Sequence, residues 1–170
     1  MNISGTQQNY FKLFSLIFSY PTREVVEEIK QMAGSFPELK SEMRSAIERF
    51  VETEPEELQT EYTRLFVSSH PTLLCPPYES YYREGIVYGN ASVEIREIYE
   101  SHGLNYVYES EPPDHISVEL DFLAITGDRE FVGRLKEWVF EFTRRVKEHS
   151  DIYGLFAEEL EKYLEGFEDL

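Results

Sequence analysis

Apolar residues recur at helical spacing along most of the chain. Tyr10, Leu13, Phe14, Ile17 and Phe18 share one face, and after Pro21 and Thr22 the spacing returns at Val25, Ile29, Met32 and Ala33, ending at Gly34. Beyond Pro37 a third stripe runs through Leu39, Met43, Ala46, Ile47 and Phe50. Thr53 and Glu56 have the spacing of a capping box, in which side chains close free amides at a helix start, and they predict a fourth helix through Leu58, Tyr62, Leu65 and Phe66. Short connections between these stripes predict antiparallel neighbours.

From Val67 to about Ala91 the periodicity stops, and prolines, glycines and tyrosines take its place, as in a functional or mobile loop. A short helix is predicted from Ser92, with Ile95, Ile98, Tyr99 and His102 on one side and Gly103 as its stop. Residues 104–113 form a second irregular connection, long enough to act as a hinge for exchange between subunits. A strand at Tyr106-Val107-Tyr108 has no evident partner. The helix from Ile116 carries one stripe at Ile116, Leu120, Leu123 and Ala124 and another at Val118, Phe122 and Ile125, so it should be central. After Gly127-Asp128, two outer helices run through Phe131, Leu135, Trp138, Val139, Phe142 and Val146, and then through Phe156, Leu160, Tyr163, Leu164 and Phe167. The expected fold is all-α: a single-domain helical bundle over residues 1–170, with about eight helices and two long irregular Pro-rich loops.

Composition narrows the possible partners. Apolar residues make up 41% of the 170, aromatics 15%, which is enough to fill a real core. Against 16 Lys and Arg stand 33 acids, a formal charge of −17 that disfavours nucleic acid and anionic membranes and favours cationic partners. The bland explanation of those acids is solubility for an aromatic-rich protein. Cys75 is the only cysteine, so no internal disulfide can form, and a reducing cytoplasm fits best. The run from Tyr10 to Tyr20 is broken by Lys12 and Ser15 and lacks a basic leader or cleavage site, so it reads as a helix of the mature protein. No stretch approaches the roughly 18 apolar residues of a membrane span.

The candidate chemistry gathers where Glu111-Pro112-Pro113-Asp114-His115 runs into the apolar helix. Proline fixes its own φ and biases the preceding residue away from helix, so Asp114 and His115 stand at a stiff entrance. Asp114, just before the helix, is expected as its N-cap, worth about 1 kcal/mol, and its second oxygen could still accept an arginine. His115 is either a structural hydrogen-bonder or a peptide contact. His115 and Glu119 at i, i+4 could share a metal ion, but no third or fourth ligand accompanies them, so no metal is expected; Glu119 reads as solvated or paired with a base. In the loop Thr72 to Tyr82, Tyr78 can stack on a guanidinium or pack in the core, while Glu79 and Ser80 can tie the loop to a helix end. Cys75 lacks a nucleophile's local signature, and the chain has no phosphate-binding loop, dinucleotide turn or nucleophile elbow. Glu158, Glu159, Glu161, Glu165, Glu168 and Asp169 make the last helix acidic, by default a solvated face.

Two ordered motifs resemble the redox-enzyme maturation chaperones, the family of TorD, DmsD and NarJ. One is Glu111 through His115 leading into an apolar helix. The other is Leu65-Phe66 followed by Pro76-Pro77-Tyr78-Glu79-Ser80. The resemblance covers most of the chain, which is somewhat short for the type. It implies a cytoplasmic, non-enzymatic chaperone that binds the twin-arginine signal peptide and apo form of a molybdoenzyme catalytic subunit precursor, delays export and assists cofactor insertion. No cofactor of its own is expected, and the alternatives of a monomer and a domain-swapped dimer both stay open. The client-binding residues implied are Tyr78, Glu79, Ser80, Pro112, Pro113, Asp114, His115 and Glu119. Two rivals remain open: a small metal-dependent hydrolase using Asp114, His115 and Glu119, and a structural assembly subunit of an oxidoreductase.

Overall fold

The computed structural model describes residues 2–105 and 111–167. Within these residues the periodic stripes become ten α-helices: α1 Gly5–Ile17, α2 Arg23–Gly34, α3 Ser41–Glu52, α4 Pro55–Tyr62, α5 Glu79–Glu84, α6 Asn90–Ser101, α7 Ile116–Thr126, α8 Arg129–Lys136, α9 Val139–His149 and α10 Asp151–Glu165. A π-helical turn, Thr63–Val67, continues α4. The only β pairing among the described residues is isolated bridges, Asn2 with Asp128 and Tyr78 with His115. Tyr106-Val107-Tyr108, along with Glu168 and Asp169, lies outside the described residues.

The count exceeds eight for two reasons. Glu79–Glu84 forms a short helix inside what reads as irregular loop, too brief to show a stripe. The stripe from Phe131 to Val146 is broken at Glu137 and Trp138, so that α8 packs on α7 while α9 packs on α10 and α5. The capping box expected at Thr53 and Glu56 does not form. Pro55 occupies the first turn of α4, Glu54 is the N-cap without a side-chain bond, and the Thr53 hydroxyl donates back to the Arg49 carbonyl at 2.8 Å. The capping box that does form is Ser4 with Gln7, at the start of α1.

α7 is central, as its two stripes imply. Ile116, Leu120 and Leu123 have no exposed surface and pack on α1, where Phe11, Leu13 and Ile17 are equally sealed. The Ser15 hydroxyl donates to the Ser117 carbonyl at 2.7 Å, and Lys12 pairs with Asp121 at 2.9 Å, fixing the register of the two helices. The second stripe of α7 is only partly covered: Phe122 is buried, Val118 half-buried and Ile125 exposed. A cavity of about 450 Å³ opens on that face, between α1 and α7.

Aromatic rings fill the other half of the core. Phe66 contacts Tyr62, Phe142 and Tyr153 with ring centroids 4.8, 5.9 and 5.5 Å apart, and Phe18 meets Phe142 at 5.6 Å. Tyr82 of α5 stacks on Trp138 at 5.6 Å, so the short helix of the Pro-rich segment is seated on this cluster. The acids of the last helix are less solvated than their number suggests. Glu159 is buried beneath Lys40 and Lys162, while Glu161 accepts from Thr143 and Lys147.

Candidate functional site: two proline-rich segments in one clasp

The two Pro-rich segments meet backbone to backbone. Ile116 N donates to the Pro77 carbonyl at 2.8 Å, and Glu79 N donates to the Asp114 carbonyl at 3.1 Å, an antiparallel pair centred on Tyr78 and His115. Their rings meet edge-on, with centroids 5.4 Å apart. The prolines suit this arrangement because they hold each strand extended and remove donors that would go unpaired. Pro113 contributes its carbonyl, which accepts the Tyr99 hydroxyl at 2.7 Å and ties the clasp to α6. On the other side Cys75 N donates to the Leu65 carbonyl at 2.9 Å, joining the Leu-Phe helix end to the Pro-Pro-Tyr loop. Burial pushes the Cys75 thiol up to about 12, which keeps it from acting as a thiolate.

Asp114 caps a helix by its side chain, but not the helix that follows it. His115 caps α7, its Nδ1 accepting the Ser117 amide at 3.1 Å with the Ser117 hydroxyl at 2.8 Å. The Asp114 carboxylate turns across the clasp instead and accepts the Ser80 amide at 2.8 Å, closing the first turn of α5. Its other oxygen, Oδ1, is buried without a hydrogen bond, as is the Ser80 hydroxyl. Complete burial pushes the His115 imidazole down to about 3, so it is neutral at physiological pH and its 3.6 Å approach to Glu111 is not an ion pair.

Below this lies a sealed carboxylate cluster. Glu79, fully buried, is held by Arg134, whose Nη2 and Nε lie 2.7 and 3.3 Å from its two oxygens, and by Arg83 on its own helix. Arg134 also reaches Glu94 on α6 at 3.1 Å. Glu119 is neither solvated nor paired with a base. It is fully buried, accepts the Trp138 indole N–H at 3.3 Å, and is pushed well above the carboxylate range by burial and by the Glu79 carboxylate beside it. Burial and the neighbouring acid thus favour its neutral form, which can donate to Glu79.

Of the eight residues singled out in the sequence, Glu79, Ser80, Pro112, Pro113, Asp114, His115 and Glu119 are buried and Tyr78 is half-exposed. All eight come together in or directly under the clasp. Glu111, the first residue of its own motif, joins them at the surface. It is 37% exposed at the side chain, hydrogen-bonded to the Tyr78 phenol, and raised by partial burial. Asp114, His115 and Glu119 each face a different partner, and no three metal-capable side chains converge among the described residues.

This geometry can be set beside known proteins. The profile of the nitrate reductase delta subunit family matches residues 22–168. The chain belongs to that family. A candidate redox enzyme maturation protein from Archaeoglobus fulgidus has the same fold, with a TM-score of 0.84 and 46% identity over 93% of each chain. The chaperone protein TorD of Vibrio cholerae strain O395 is 32% identical over 121 residues, 59% of this chain and 54% of that protein. TorD of the El Tor strain N16961 matches to the same extent. The chain thus spans about half the length of the curated relatives it matches. The family assignment from the two motifs therefore stands, as does the all-helical fold. No helix among the described residues is long and apolar enough to cross a membrane.

Proposed function

We propose that the protein is a cytoplasmic, non-enzymatic chaperone that holds the twin-arginine signal peptide and apo form of a molybdoenzyme precursor, delaying its export and assisting cofactor insertion. The observation that carries this reading is the clasp itself. Both motifs shared with the maturation chaperones converge on one backbone bridge, Tyr78 with His115, at the edge of an acidic domain. Similarity to TorD and to the Archaeoglobus fulgidus protein supports the same reading.

Chemistry supports binding over catalysis. His115 is neutral with its Nδ1 occupied, Asp114 is committed to the Ser80 amide, and Glu119 is sealed under Trp138 with its neutral form favoured. None of the three is poised as a base toward solvent, which weighs against the metal-dependent hydrolase. Paired arginines need exposed carboxylates, and the apolar part of a leader needs an apolar surface; a protein with a charge of −17 and half-exposed Tyr78 offers both. Since the buried residues of the motif cannot reach a peptide from outside, they serve by holding Tyr78 and its neighbours in place.

Calorimetry with a synthetic twin-arginine leader of a molybdoenzyme tests the reading. Binding in the micromolar range, on the order of −8 kcal/mol, is expected, with part of it resistant to salt. Failure of any such leader to bind, with co-purification of the mature oxidoreductase instead, would shift the reading to a structural assembly subunit.

A further inference from the structure

The acids beneath the clasp have too few donors to be satisfied as carboxylates. Glu79, Asp114 and Glu119 have no exposed surface. Both guanidinium groups that reach this interior, Arg134 from α8 and Arg83 from α5, bond to Glu79, and their remaining reach goes outward to Glu94 and Glu137. Asp114 takes the Ser80 amide. Glu119 is left with one long bond, 3.3 Å from the Trp138 indole to its Oε1, while its Oε2 is sealed with no donor.

Glu119 nevertheless lies within hydrogen-bonding reach of Glu79. Two carboxylates accept and do not donate, so they hold each other only if one carries a proton. The proton belongs on Glu119. Glu79 is stabilised as an anion by two guanidinium groups, whereas Glu119 faces the carboxyls of Glu79 and Asp114, with the Arg134 charge already taken by Glu79. The other charged groups around α7 do not help it. His115, one turn earlier, is neutral and bonded to Ser117, and Asp121 on another face is paired with Lys12 of α1.

Both partners of Glu119 are tied to α5. Glu79 is the first residue of that helix, and the Trp138 ring carries Tyr82, the stack on which the helix is seated. Lifting α5 therefore uncovers Glu119 to water, where a glutamic acid ionises above about 4.5.

We propose that a proton held between Glu119 and Glu79 latches α5 into the clasp, and that the latch loosens as pH rises because opening releases that proton. This is a property of the fold and stands whether or not the clasp receives a leader. Above about 4.5 the seated state keeps the proton and the lifted state loses it, so each further pH unit favours lifting by about tenfold until the seated form also ionises. His115 acts the other way only where the lifted imidazole takes up a proton, below about pH 6.5.

Amide hydrogen exchange of α5 tests this on the full chain between about pH 6.5 and 8.5, where His115 stays neutral in both states. The Ser80 and Gly85 amides are the probes, since both are hydrogen-bonded through the seated helix. Hydroxide catalysis alone speeds exchange about tenfold per pH unit; with a proton released at each opening, these amides should speed up well beyond that, toward about a hundredfold. Glu119→Gln keeps an acceptor for Trp138 and puts a fixed N–H where the proton lies, so its α5 amides should follow the tenfold slope. Asp114→Asn loosens the Ser80 cap without touching the proton, so exchange should quicken at every pH while the steep slope remains. Infrared spectra near neutral pH should show the carbonyl stretch of a protonated carboxyl in the parent and not in Glu119→Gln.

A tenfold slope or less in the parent, or a steep slope that survives Glu119→Gln, would overturn the proposal. So would a parent spectrum without the protonated-carboxyl band. If Glu119→Gln unfolds, amides throughout α1 and α7 exchange fast as well, and the slope and spectrum of the parent decide.

Discussion

The Asp114 carboxylate accepts the Ser80 amide at 2.8 Å across 34 residues of chain, capping α5 while its neighbour His115 caps α7. One dipeptide therefore fixes the starts of two helices, and the clasp is the seam between them. Seven of the eight residues singled out in the sequence are buried, so in the proposed reading they set the position of Tyr78 and do not meet a client themselves.

Asp114→Ala should cost about 1–3 kcal/mol, because it strands the buried Ser80 amide without its acceptor. Asp114→Asn keeps an acceptor at that position and should cost about half as much or less. Denaturant titration of both variants checks this. A parent-like midpoint for Asp114→Ala would mean that the α5 cap contributes nothing.

Glu119 and His115 should tilt stability with pH in opposite directions. His115 falls from 6.5 to about 3 on folding, so between those values only the unfolded chain takes up its proton, and stability drops as pH falls through that window. Glu119 is raised above 4.5, so the folded chain keeps a proton that the unfolded chain releases, and stability drops as pH climbs above about 4.5. Glu119→Gln removes the second effect while leaving Glu79, Asp114 and Arg134 around it. Unfolding midpoints should match the parent near pH 4 and exceed it at pH 8; a variant weaker than the parent at pH 8 would mean that Glu119 is ionised in the fold.

Gly89→Ala should loosen the start of α6. An added Cβ would lie 1.6 Å from Glu84 Oε2, the atom that accepts the Asn90 amide, so the side chain must swing away and release its cap. The expected loss is about 1 kcal/mol. Glu84→Ala should cost a similar amount, and the double variant little more than either alone, since both remove the same bonds. Additive melting shifts would argue against the shared cap.

Phe142→Ala should be the most damaging of these changes, at about 3–5 kcal/mol, because its sealed ring touches Phe18 and Phe66 and lies under Tyr82 of α5. Thermal melting reads the loss.

The helical stripes were legible because burying one face of a helix demands spacing of three and four, and α1, α2, α3, α6, α7 and α10 follow it closely. Where a different principle ruled, the stripe misled. Pro55 displaced the capping box at Thr53, and the break at Glu137 and Trp138 leaves no gap in spacing, because each half is periodic toward a different neighbour. α5 is anchored by buried polar residues, Glu79 and Ser80, which carry no apolar signal.

The sequence by itself determined the all-helical class, the two interruptions and the family, since local spacing and ordered motifs are properties of the chain alone. Only the tertiary structure decided which side chains reach solvent. Glu79 can be buried because Arg134, 55 residues away, meets it, and Glu119 because Trp138 donates to it and its surroundings favour the neutral form. Asp114 left the helix it precedes for one it does not, because the bridge between Tyr78 and His115 brought the Ser80 amide within reach. Desolvation and its compensation depend on distances across the fold, and no spacing along the chain encodes them.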